Sequence, residues 1–186
     1  METLEKRDPR LLIPVIIFLA TGFTVTFTQG LHEDLRFNSW LIVVFGLALG
    51  LTSFINWTKT KKEPAGFVPA LSGVLSLALA VVAISAANLM QLRLGLLIWA
   101  AINVAVYAYA WMITKNSKAL LVAAYGTFFV LVIAFVATDL PAVVGFFAAF
   151  CIMAGVYLGI AAFDPKETDS KETRAQESQH ETGISI

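Results

Sequence analysis

Charge is scarce in this sequence, and its absence is placed with care. Only 14% of the 186 residues are charged, against about a quarter in an ordinary globular chain. The long apolar runs hold no charge at all. A charge at the centre of a membrane helix costs roughly 2.5–3.5 kcal/mol on insertion scales, so a lipid solvent explains that segregation. One cysteine, Cys151, excludes an intrachain disulfide and any multi-cysteine metal site. It reads as an inert buried thiol. The two histidines, His32 and His180, have no neighbour at metal-ligand spacing. No glycine-rich phosphate loop, Ser/His/Asp constellation or Cys-x-x-Cys motif is present. Met90, Met112 and Met153 have no histidine in an apolar run to join them as haem ligands. The formal net charge is zero, which removes any bulk pull toward nucleic acid. The expectation is a protein that is not an enzyme and holds no cofactor or metal.

What the chain does have is apolar length, with 58% of its residues hydrophobic. A helix rises about 1.5 Å per residue, so about 20 apolar residues cross a hydrocarbon core of roughly 30 Å. Six runs qualify, at 11–29, 40–57, 68–87, 94–112, 119–138 and 141–163. They are too long for strands and lack the alternation of a barrel wall. The expected fold is an all-α integral membrane protein of six transmembrane helices. Polar breakers separate the runs: 30–39 with His32, Glu33 and Asp34, 58–66 with three lysines, 88–93, 114–118, and Asp139 with Pro141. Residues 1–10 form a short N-terminus. Residues 164–186 carry no aromatic residue and cannot bury enough apolar surface to fold, so a disordered tail is expected there. The first run follows a basic stretch but no cleavage site follows it, so it reads as a retained helix rather than a signal peptide.

Eleven of the thirteen lysines and arginines fall at one end of this arrangement, in the N-terminus, the second and fourth connections and the tail. Only Arg36 and Arg93 fall at the other. Basic residues collect on the cytoplasmic side of short loops, which predicts that both termini are cytoplasmic. Trp40, Trp57 and Trp111 stand at run boundaries, the interfacial depth that indole rings favour. Asn56-Trp57-Thr58 fits the glycosylation acceptor pattern, but the expected topology puts it at the cytoplasmic boundary.

The three outward connections carry Asp34-Leu35, Asn88-Leu89 and Asp139-Leu140. Adding 23 residues to the first two positions reaches Trp57 and Trp111. The chain therefore reads as three tandem two-helix hairpins in one orientation, unlike inverted transporter repeats. The second helix of each hairpin carries small residues four apart: Gly46 and Gly50, Ala101 and Ala105, Gly155 and Gly159. Such spacing lets helix backbones approach closely in lipid, either within the chain or between copies. In these features the sequence resembles the HdeD-like family of small bacterial membrane proteins. The resemblance spans 11–163. It implies a bacterial cytoplasmic (inner) membrane location and an acid-stress role, and it implies no reaction.

The polar residues inside the runs are mild. Thr21, Thr24 and Thr28 share one face of the first helix, Gln29 ends that helix, and Asn103 sits mid-run with Tyr107 one turn on. They either line a groove for a solute or satisfy backbone carbonyls and join helices. His32, Glu33 and Asp34 are either a cation or acidity sensor or a solvated polar turn. The expected function is that of a structural or accessory protein. It packs with itself or with a larger membrane complex, such as a respiratory or envelope assembly, and its partners are lipid and other membrane-protein subunits. The alternatives are a small transporter or channel for a neutral solute, and the acid-stress role that the family resemblance implies.

Overall fold

A computed structural model describes residues 9–115 and 117–163. The basic N-terminus, Asn116 and the tail at 164–186 lie outside them. The described residues form six helices and no strand: α1 (Pro9–Phe27), α2 (Leu35–Thr60), α3 (Phe67–Ser85), α4 (Leu89–Thr114), α5 (Ser117–Phe135) and α6 (Leu140–Phe163). A single 3-10 turn at Gln29–Leu31 follows α1. By length and composition, α2 to α6 are each able to cross a membrane. In α1 the apolar part, Leu12–Phe27, is shorter. This is the make-up of a multi-pass membrane protein.

The even-numbered helices begin earlier than hydropathy suggests. Expected starts near residues 40 and 94 move to Leu35 and Leu89. The cause is capping. Asp34 Oδ1 accepts from the Arg36 and Phe37 amides at 2.8 and 3.2 Å. Asn88 Oδ1 accepts from the Gln91 amide at 3.0 Å, while Gln91 Oε1 accepts from Ala87 N–H at 2.7 Å. Asp139 Oδ1 accepts from the Ala142 amide at 2.8 Å. Each satisfies an amide that the first helical turn leaves unpaired. Arg36, Asn38, Gln91 and Arg93 therefore belong to helices, not to loops.

Neighbouring helices run antiparallel, up and down, and α1 returns against α6 to close the ring. The most extensive contacts are α2 with α3, α1 with α6 and α4 with α5. Two of these pairs join successive expected hairpins, the α1–α6 pair joins the first to the last, and contacts inside the expected hairpins are slighter. Small residues set the close pairs. A methyl group added at Gly46 would lie 2.5 Å from the Ser76 carbonyl oxygen of α3. One added at Gly155 would lie 2.7 Å from Leu19 Cγ of α1. Across α4 and α5, Gly126 faces Val104.

Aromatic rings fill the centre. Phe45 of α2 meets Phe18 of α1, Trp99 of α4 and Phe147 of α6 edge-on, at 5.3, 5.9 and 5.2 Å between centroids. Phe150 of α6 lies 6.2 Å from Trp99 and 4.4 Å from Phe129 of α5. α3 contributes Ser76, whose Oγ accepts from Trp99 Nε1 at 3.3 Å. Such ring pairs add about 0.5–1.5 kcal/mol each beyond the area they bury. Large apolar side chains also cover the outside: Phe27, Phe135, Val81 and Ile160 are all mostly exposed. A water-soluble monomer rarely shows so much contiguous apolar surface.

Candidate functional site

Many polar side chains inside the helices are tied to protein partners, whereas the buried Ser39 hydroxyl and Asn38 Oδ1 of α2 are not. Thr26, Thr52 and Thr127 each donate to the carbonyl four residues back, at 2.8 Å. Thr28 donates to the Thr24 carbonyl at 2.8 Å. Ser72 Oγ donates to Asn103 Oδ1 at 2.9 Å, and Asn103 Nδ2 donates to the Trp99 carbonyl at 2.8 Å. Tyr107 lies one turn further along α4. Asn103 thus links α3 to α4 across two apolar helices.

The first Asx turn is more structured than its sequence suggests. His32 is buried, while Glu33 and Asp34 beside it are exposed, as in a solvated turn. Its Nε2 stands 2.8 Å from the Val25 carbonyl oxygen at the end of α1. A carbonyl only accepts, so Nε2 carries the proton. Asn38, 1% exposed, reaches the carbonyls of His32 and Asp34 at 3.0 and 2.7 Å. His32 and Asn38 thus pin the turn to α1 and α2, while Gln29, Gly30, Leu31, Glu33 and Asp34 stay exposed. Asp34 is occupied as a helix cap, so His32, Glu33 and Asp34 do not converge on a common point. Among the described residues, no group of three or more His, Cys, Asp or Glu could hold a metal ion.

The small-residue candidates divide by location. Gly46 and Gly50 lie buried against α3, and Gly155 lies buried against α1. Gly159 lies at the same interface, with Val15 of α1 at 3.8 Å from an added methyl. Ala101 and Ala105 are exposed, on a face of α4 that also shows Ile98, Ile102 and Tyr109. Sequence periodicity does not distinguish these two situations.

Two features escaped the sequence reading. Phe45, Trp99 and Phe150 each stand eleven residues after the Asx cap of their helix. The same arithmetic that aligns the caps would have found these central rings. Arg93 is the other. Its Nε and Nη2 donate to the Ile133 and Ala134 carbonyls of α5 at 2.9 and 2.6 Å. A guanidinium thus covers the negative end of a helix dipole. Nothing local in the sequence pairs residues forty positions apart. Compared with family models, curated proteins and solved structures, the chain matches none.

Proposed function

We propose that this chain is a six-span integral membrane protein that acts by packing, with itself or with a larger membrane complex, and performs no reaction. The observation that carries the reading is the contrast between the centre and the face of α4. Aromatic rings from five helices converge at the centre, and the polar groups around them bond to protein partners. The Ala101/Ala105 face of α4 is left uncovered. Small residues four apart on a lipid-facing helix suit a close helix-helix contact. We assign that face as the surface that meets a second copy or a partner subunit.

In this reading α1 also crosses the bilayer. Its 19 residues give a length of about 28 Å, close to the hydrocarbon thickness. The chain is three tandem hairpins with both termini cytoplasmic, in a bacterial inner membrane, as the charge distribution and the HdeD-like resemblance suggest. A solute pathway through the centre is disfavoured by the ring-filled core. An acid-stress role rests on the family resemblance alone.

The test is purification of the tagged chain from its native membrane in mild detergent, beside the variant Ala101→Ile/Ala105→Ile. The reading expects a defined stoichiometric complex or homo-oligomer with the native chain, and its loss in the variant with the fold retained. A native chain that emerges alone as a monomer would contradict it.

A further inference from the structure

Arg93 has no counterpart at the corresponding corner between α2 and α3, and that corner is hollow. Arg93 lies five residues after the cap of α4 and donates to the last carbonyls of α5. Five residues after the cap of α2 stands Ser39. Its hydroxyl is buried and has no hydrogen-bond partner in the structure. Ser39 lines a cleft of about 580 Å³ between the start of α2 and the end of α3, with Arg36, Trp40, Ile84 and Ala87. Arg36 is exposed, and its guanidinium makes no ion pair among the described residues. The opposite wall is the last turn of α3, where the Val82 carbonyl accepts from Ser85 Oγ and the Ala83 carbonyl from the Ala86 amide, which leaves the Ile84 and Ser85 carbonyls at the negative end of the dipole.

A cation beside a cluster of carbonyls calls for a ligand with adjoining opposite charges. The phosphate would face Arg36, and an N–H-bearing ammonium would face the α3 terminus and the Ser39 hydroxyl, in the role that Arg93 fills at α5. The cleft shares Ser85 and Ala86 with a second hollow, an apolar groove of about 380 Å³ between α3 and α4. Leu79, Val82, Leu94, Gly95 and Ile98 line it down to Trp99 in the core. Polar cleft and apolar groove meet at one helix end, beside the exposed indole of Trp40.

We infer that this corner binds one phosphatidylethanolamine-type phospholipid, with its headgroup between α2 and α3 and one acyl chain between α3 and α4. The inference rests on the membrane-spanning reading. Choline lipids lack the ammonium N–H donors, and phosphatidylglycerol lacks the ammonium, so both fit less well.

The full chain is purified in detergent, exchanged into an equimolar mixture of phosphatidylethanolamine, phosphatidylcholine and phosphatidylglycerol, and examined by native mass spectrometry. One phosphatidylethanolamine should be retained with at least about tenfold preference. Arg36→Gln and Ser39→Ala, both at the rim of the bundle, should each reduce that preference severalfold while elution stays monodisperse. Equal retention of the three lipids, a preference for phosphatidylglycerol, or a preference that both variants leave intact would overturn the site. Displacement by soluble glycerophosphoethanolamine at millimolar concentration would overturn the lipid as its occupant. A chain that needs detergent but shows no lipid preference refutes the site alone. One recovered in the soluble fraction refutes the membrane reading as well.

Discussion

The Ser72 hydroxyl and the Asn103 amide meet between α3 and α4, which the Trp99–Ser76 hydrogen bond also joins. In lipid such a bond is worth about 0.6 kcal/mol, because the unfolded helices also find partners. A double-mutant cycle with Ser72→Ala and Asn103→Ala, read by unfolding in mixed micelles, should return a coupling of about that size. A coupling of zero would mean that the bond does not form in the membrane. Asn103 was legible in the sequence as the one amide deep in an apolar run, but its partner was not, since Ser72 is one of several unremarkable serines. Asp34 invites a second measurement. It caps α2 with two amides, so Asp34→Ala should cost about 1 kcal/mol in the same assay. Removal of Asn38 should cost more, because its buried amide holds the whole turn between α1 and α2. If Asn38→Ala proved the milder of the two, the turn would not be held as described.

Element by element, the helices were easy to find and their ends were not. Hydropathy marks the depth at which lipid begins, whereas a helix begins where a side chain can cap it. That is why α2 and α4 start with polar turns that the hydropathy pattern assigns to loops. Partner choice was harder still. The glycines of α2 and α6 and the alanines of α4 share one spacing, but the glycines face neighbouring helices and the alanines face outward. Spacing defines a stripe on a helix and does not say what the stripe meets. The distinction makes a prediction. Gly155→Val places a branched side chain against Leu19 and should destabilise the monomer by about 1–3 kcal/mol. Ala105→Val adds the same kind of bulk on an exposed face and should leave monomer stability unchanged. Equal losses in thermal unfolding would show that the two interfaces are not separated in this way.

At the scale of the whole molecule, the ring closes because α1 returns to α6, a contact with no local signature. The heaviest packing runs between the expected hairpins rather than within them. The lysines of the described chain, Lys59, Lys61, Lys62, Lys115 and Lys118, all fall at the turns opposite the three Asx caps. This polarity and the six-span count make one joint claim about the bilayer, and α1 tests it most sharply because its apolar stretch is the shortest. The most direct measurement is cysteine accessibility in intact cells on a Cys151→Ser background. Single cysteines are placed at Glu33, Ala87 and Thr138 in the Asx turns, at Lys62 and Lys115 in the basic turns, and at Lys6 before α1. The account predicts that an impermeant maleimide labels the three Asx-turn positions from outside, and labels Lys62, Lys115 and Lys6 only after the membrane is opened. Labelling of Lys6 from outside would mean that α1 does not cross. A split among the Asx turns would contradict the six-span bundle itself.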